Sequence, residues 1–262
     1  MKKQKFNLSI KIISFLVIIS LAFCFVIGYI WKVLTTADFF AVKMVYVRNS
    51  DIQFEYLKGK NIFNLNLSNE AKQVFLRCPD CRKVRFARIL PNSVVIDFLK
   101  RKPVALVKFY KNFAIDEQGV LFLPDLATEE LDLPIIYGLE TKIFAPQPGI
   151  SYKRSELGLA LSIIHEFKAN KAFAGFSLKR IDVASSSSAG FFILLPRQIV
   201  NYTLAFPLVE WRGFQVRTGV GNIRQKMMIL GGLLIQERKE WESIKYIDLR
   251  FKEPLIKLNN VK

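Results

Sequence analysis

The stretch Ile12-Ile13-Ser14-Phe15-Leu16-Val17-Ile18-Ile19-Ser20-Leu21-Ala22-Phe23-Cys24-Phe25-Val26-Ile27-Gly28-Tyr29-Ile30-Trp31 contains twenty residues and no charge. As a helix it spans about 30 Å, the thickness of a bilayer's hydrocarbon core. Lys2, Lys3, Lys5 and Lys11 precede it, and only Lys32 closely follows before Asp38. Excess positive charge stays on the cytoplasmic side. The pattern therefore predicts a cytoplasmic tail over 1–11, a transmembrane helix over 12–31, and export of everything after Trp31. Tyr29 and Trp31 fall at the outer boundary, where amphipathic rings favour the headgroup layer. Thr35-Thr36-Ala37 resembles a signal-peptidase site. The apolar core of a signal peptide runs roughly 7–15 residues, so the length here favours a retained anchor.

The chain has 262 residues, with 39 Lys and Arg against 22 Asp and Glu. Beyond the tail the balance is 35 basic against 22 acidic residues, a net of +13. On an exported body this excess points to acidic protein segments, anionic lipid or anionic wall polymer, and away from nucleic acid. The basic residues are scattered, so part of the excess is solvated surface. With 23 Phe the exported part can bury a core. Its only cysteines are Cys78 and Cys81, too few for a disulfide scaffold.

Residues 38–103 read as a βααββ-like pattern and 104–258 as successive short strands with two amphipathic helices, an α+β class with a mostly antiparallel sheet. In the first segment, Phe40–Arg48 alternates as a strand and Asn49-Ser50-Asp51 is turn chemistry. A short helix is expected over Asp51–Leu57. A second is capped by Ser68 or Asn69, runs through Arg77 and is stopped by Pro79. Val84–Ile89, Pro91-Asn92-Ser93 and Val94–Leu99 form a hairpin. After Pro103, strands are expected at Phe113–Ile115, Val120–Leu123, Ile181–Val183, Gly190–Leu195, Val200–Phe206, Gly213–Arg217 and Ser243–Phe251. Helices are expected at Ser155–Asn170 and Gly221–Arg238, the latter weakened by Gly231-Gly232.

No catalytic, metal or cofactor constellation emerges. Cys78-Pro79-Asp80-Cys81 has redox spacing, but it follows a helix, and the negative end of the dipole raises a thiol pKa. A local disulfide or two packed thiols is the better reading. Zinc needs further ligands at suitable spacing, and none follow. His165 is the only histidine and sits beside an apolar stripe. Gly219-Val220-Gly221 lacks the rest of a dinucleotide fingerprint. Asp116 and Asp248 have no second carboxylate at catalytic spacing. The informative feature is Tyr246-Ile247-Asp248-Leu249-Arg250-Phe251, which places Ile247, Leu249 and Phe251 on one face and Tyr246, Asp248 and Arg250 on the other. Pro254 soon after it suits an edge strand. Such an edge accepts a partner segment as an added strand.

Four stretches resemble the FtsQ/DivIB family of bacterial cell division proteins. Arg88–Ile96 with Arg101-Lys102-Pro103-Val104-Ala105 is similar to the hairpin and exit of its POTRA domain. Ile115-Asp116-Glu117-Gln118-Gly119-Val120-Leu121-Phe122 is similar to the opening hairpin of its β domain, and Leu133-Pro134-Ile135-Ile136-Tyr137-Gly138 to the connection after it. Tyr246–Phe251 resembles the family's terminal strand. The resemblance implies a POTRA domain over 38–103 and an FtsQ/DivIB-type β domain over 104–258. It implies a non-catalytic, single-pass scaffold of the cytoplasmic (inner) membrane at the division septum. The implied partners are FtsB/DivIC and FtsL-type coiled-coil proteins and, through them, the septal peptidoglycan synthase pair. Cofactors and small-molecule substrates are not expected. Arg250 and Phe251 carry over as partner contacts, with Tyr246 and Asp248 as secondary ones. Asn49 stands where the family commonly has Gly, and Lys100 where an acid is usual. Rival classes are a POTRA-containing envelope assembly or export factor and a membrane-tethered thiol oxidoreductase using Cys78 and Cys81.

Overall fold

The computed structural model describes residues 3–125, 131–195, 213–236 and 241–259, with side chains from residue 12 onward. The expected strand at Val200–Phe206 lies outside the described residues. The chain divides into two compact units, Met1–Lys100 and Arg101–Lys262. Its class is α+β, with one N-terminal apolar helix and a mostly antiparallel sheet.

In the first unit, helix α1 runs over Lys3–Thr36, and its segment Ile12–Thr36 is long and apolar enough to cross a membrane. It outlasts the expected end at Trp31 because Val33 and Leu34 continue the apolar run. The Thr35 and Thr36 hydroxyls also donate back to the carbonyls of Trp31 (2.9 Å) and Lys32 (2.7 Å). After a 3₁₀ turn at Asp38–Phe40 come β1 (Met44–Arg48), α2 (Leu67–Leu76), β2 (Cys81–Ile89) and β3 (Ser93–Lys100). The sheet order is β1-β3-β2, with β1 parallel and β2 antiparallel to β3. Asp51–Leu57 yields only a 3₁₀ turn at Glu55–Leu57, which seats fully buried Leu57. The cap of α2 is Asn66, whose side-chain oxygen accepts from the Asn69 N–H at 3.1 Å. This choice buries Leu67 as the first helical residue. Asn49 adopts φ 61° and donates its amide to the Phe98 carbonyl at 3.3 Å, so it takes the left-handed turn in glycine's place. Val94, Ile96 and Phe98 supply the core face of β3.

The second unit contains β4 (Ala105–Lys108), β5 (Asn112–Ile115), β6 (Leu121–Phe122), β7 (Ile135–Tyr137), α3 (Ser155–Ala169), β8 (Ser177–Ser185), β9 (Ser188–Leu194), β10 (Gly213–Gly219), α4 (Ile223–Gln236), β11 (Ile244–Asp248) and β12 (Leu255–Leu258). Among the described residues these strands form one sheet in the order β12-β11-β10-β9-β8-β7-β4-β5-β6. Most neighbours are antiparallel. Three pairs are parallel: β4–β7, whose intervening chain contains β5 and β6, and β7–β8 and β10–β11, each with a helix in the intervening chain, as a parallel crossover favours. Both helices share one core with the sheet, centred on Phe113, Phe191, Phe214, Ile136 and Leu157. Gly138 holds φ +88°, and a Cβ there would meet the Ala184 backbone nitrogen at 2.6 Å. Gly231, read from sequence as a weak point of α4, has a packing reason. A Cβ there would lie 2.8 Å from the Ala172 Cβ, in the 3₁₀ turn Lys171–Phe173.

Asp116 anchors the entry to this unit. One carboxylate oxygen accepts from the Gln118 and Val120 N–H groups (3.0 and 2.9 Å), closing the β5–β6 hairpin. The other takes Arg101 Nη1 at 2.5 Å, and both side chains are almost fully buried. Breaking a buried pair strands the surviving charge. Asp116→Ala is therefore expected to lower the urea-unfolding free energy by about 3–5 kcal/mol. Gly231→Val, which forces atoms into occupied space, is expected to lose about 1–3 kcal/mol in the same measurement.

Candidate functional site

The four residues singled out at the C-terminal end lie on β11 and the turn after it. Their strand is not a sheet edge. β11 pairs in parallel with β10 (Gln215↔Tyr246, Arg217↔Asp248) and antiparallel with β12 (Tyr246↔Lys257, Ile247↔Ile256, Asp248↔Leu255). The edge assignment is thus corrected: among the described residues, β12 occupies the margin. The expected strand through Phe251 ends at Asp248, because the chain turns over Arg250–Glu253 and returns. Pro254 lies in that return before β12 begins, so its missing N–H removes no ladder bond.

The expected alternation holds for Ile247 and Leu249 but not for Asp248, which is buried between them, nor for Phe251. Ile247 and Leu249 are buried, while Phe251 is 56% exposed. Tyr246 is half-buried, its ring 4.8 Å from the Arg217 guanidinium and 5.9 Å from the Lys257 ammonium. Asp248 is buried and therefore does not offer a surface contact. Its carboxylate accepts from Arg250 Nη2 at 2.6 Å, from Arg250 Nε at 3.0 and 3.1 Å, and from the Arg250 N–H at 3.0 Å. The guanidinium expected to grip a partner's carboxylate is thus already engaged within the chain. It remains half-exposed, 5.9 Å from the Phe251 ring. The pair shapes the turn that delivers the chain into β12. A signal was present in sequence, since an Asp side chain accepts from the backbone N–H two residues on in a turn.

The feature missed from sequence is β12 itself. All four of its residues, Leu255, Ile256, Lys257 and Leu258, are exposed. The Asn259 N–H donates inward to the Ser243 carbonyl at 2.6 Å. Alternation along an antiparallel strand then leaves the backbone groups of Ile256 and Leu258 facing outward. Beside the turn lies a groove of about 180 Å³ lined in part by Ile229 of α4, Leu249, Phe251, Pro254 and the cations Lys226 and Lys252. Among the described residues the margin thus offers backbone with no ladder partner, apolar side chains and positive charge together.

The other motifs resolve structurally. Cys78 and Cys81 form a disulfide between the end of α2 and the start of β2. His165 is exposed on α3 and borders a broad groove of about 500 Å³ with Val104, Glu117 and Lys168. The Val220 N–H donates to the Ser187 carbonyl (3.1 Å) and Lys226 Nζ to the Gly219 carbonyl (2.9 Å), so the Gly219–Gly221 turn is tied to the β8–β9 hairpin. Lys100 lies 3.9 Å from Asp80 in a loose surface pair.

The architecture is that of an α+β protein in which, among the described residues, one membrane-length helix precedes an extended sheet. No protein-family model matches the chain. It is 24% identical over 202 residues to the cell division protein FtsQ of Geotalea daltonii, covering 76% of this chain and 66% of that protein. It is 25% identical over 178 residues to FtsQ of Geobacter sp. strain M21 (68% and 58%) and 24% over 229 residues to that of Syntrophotalea carbinolica (83% and 73%). The chain spans less than two thirds of the length of the first two relatives. Together the matches support an FtsQ-family protein, in agreement with the four stretches read from sequence.

The Arg250 hydrogen bonds hold the Asp248 carboxyl below its ordinary value, against the opposing effect of burial. A depressed carboxyl stabilises the fold above its unfolded pKa and loses that contribution as pH falls through the folded one. Carboxyl NMR titration should therefore find Asp248 ionised below the usual aspartate range. In Arg250→Gln its midpoint should move up, and the Asp248 contribution to stability should disappear at a higher pH than in the wild type.

Proposed function

We propose that this chain is a cell division protein of the single-pass membrane type that works as a non-catalytic scaffold. In this reading residues 1–11 lie in the cytoplasm, residues 38–103 form a POTRA domain, and 104–258 form a β domain outside the membrane at the septum. The names of the relatives support the process. The lysine asymmetry around α1 supports the orientation. The partners are proposed to be FtsB/DivIC- and FtsL-type proteins and, through them, the septal peptidoglycan synthase pair.

One observation carries the mode of action: β12 is exposed along its whole length at the margin of the sheet. An extended partner segment adds there as a further strand, and backbone hydrogen bonds supply affinity irrespective of side chains. Arg250, Lys252 and Lys257 flank the margin, so an acidic segment is favoured, and the excess positive charge speeds encounter. Phe251 stays as a direct contact because it is exposed beside the groove. Arg250 contributes its half-exposed cation while holding the turn. Tyr246 and Asp248 act indirectly, by supporting β11 under β12.

A strand-addition mechanism makes a specific demand on one N–H. Ile256→Pro removes an outward-facing donor while sparing the inward ladder, and Ile256→Val keeps that donor. Losing one such bond costs about 1–3 kcal/mol, roughly 5- to 150-fold in affinity. Titration calorimetry against the exported segment of an FtsB/DivIC-type partner should show that loss for the proline variant and near wild-type binding for valine. Equal binding by both would sink the mechanism.

A further inference from the structure

The last carbonyls of a helix have no intrahelical donors, and in or near lipid an unsatisfied carbonyl is expensive. At the exit of α1 the protein itself provides the donors. Asn61 Nδ2 donates to the Leu34 carbonyl at 2.9 Å and reaches that of Ala37 at 3.4 Å, and Asn64 Nδ2 donates to the Thr35 carbonyl at 3.2 Å. The loop presenting these amides is firmly held. Ile62 and Leu65 are buried in the core of the unit, and Arg88 donates to their carbonyls at 2.8 and 2.6 Å. The Ile62 N–H donates to the Phe40 carbonyl at 2.9 Å, and Asn61 Oδ1 accepts from the Phe63 N–H at 2.9 Å.

We propose that Asn61 and Asn64 lock the membrane-proximal unit onto the end of α1 and so lay Phe39, Lys32 and Lys60 against the anionic phospholipid headgroups of the outer leaflet. The inference rests on the single-pass reading above. Trp31 marks the hydrocarbon boundary, and the five residues from it to Thr36 rise ~7–8 Å, into the headgroup layer. The capping asparagines are at that depth because they bond to it. Phe39 follows the helix end by three residues and is 63% exposed, although its neighbour Phe40 packs onto the core and edge-on to Phe63 at 5.1 Å. An exposed ring at this level has lipid to enter. Lys32 is exposed four residues before the helix ends at Thr36, one residue beyond Trp31, and Lys60 adjoins Asn61. Both cations therefore lie where anionic headgroups are. The occupant is the bilayer that α1 crosses, which needs no separate recruitment.

The test uses the full chain in lipid nanodiscs, on a Cys24→Ser background with bimane attached at Val26→Cys or Phe39→Cys. Lipids carry a nitroxide either deep in the acyl chain or on the headgroup. Val26 should be quenched by the deep nitroxide, and Phe39 severalfold more by the headgroup nitroxide than by the deep one. Asn64→Ala, which removes a single exposed hydrogen bond, should reduce quenching at Phe39, and Asn61→Ala/Asn64→Ala should at least halve it, with Val26 unchanged. Lys32→Gln/Lys60→Gln should abolish any increase in Phe39 quenching between neutral and phosphatidylglycerol-containing discs. An unquenched Val26 would overturn the membrane-spanning reading itself. A quenched Val26 with a silent Phe39, or Phe39 quenching that persists in both asparagine variants with the unit folded by circular dichroism, would overturn the docking. Insensitivity of the wild type to anionic lipid would overturn the choice of headgroup.

Discussion

A backbone amide or carbonyl shielded from water must find a partner elsewhere, and this requirement organises the most distinctive parts of the chain. In the first unit, two asparagine amides and two threonine hydroxyls meet the carbonyls at the end of α1. In the second, the carboxylate of Asp116 meets the N–H groups of a hairpin turn. Among the described residues, one side of β12 at the margin of the large sheet has no ladder partner. Where the chain satisfies its own backbone it becomes rigid. Where it does not, an external strand can complete it.

Asp116 and Asp248 solve one structural problem twice. Each is buried, each accepts N–H groups of a nearby turn, and each is paired with an arginine. The environments differ. Arg101 is buried along with Asp116, so that pair is a fixed part of the core. Arg250 is half-exposed and can remain bound to Asp248 while showing its outer edge to solvent. A cation held in place at low conformational cost is a better recognition element than a free one, because less freedom is lost when a partner arrives. The tie is therefore compatible with the contact proposed for Arg250.

The parts legible in sequence were those set by local chemistry. The uncharged run of α1, the Pro91-Asn92-Ser93 hairpin and the Asp116–Gly119 turn each carry their signal within a few residues. What escaped depended on distant partners. Ser68 and Asn69 are as good a cap as Asn66 by residue type, and the decision lies in the burial of Leu67. Gly231 reads as a helix weakness until Ala172 is placed against it. Asp51–Leu57 reads as helical until the need to bury Leu57 reduces it to one turn. β12 escaped because Leu-Ile-Lys-Leu is too short to alternate convincingly, and its pairing depends on a turn clasped by Asp248 and Arg250. At the candidate site the four residues named from sequence lie together on β11 and its turn, but the strand that forms the margin, β12, was not read.

That last difference bears on how an edge can be both available and safe. A bare β11 would have exposed the strand that continues the ladder of β10, the type of margin that invites self-association. The chain instead covers it with a four-residue strand carrying Lys257, reached through a turn bearing Arg250 and Lys252. Short length and positive charge discourage a second copy of the same margin, since like charges would face each other across the new ladder. They do not discourage an acidic segment, for which the same cations are attractive. The added strand thus moves the edge outward, and in the proposed binding mode its charge makes it selective.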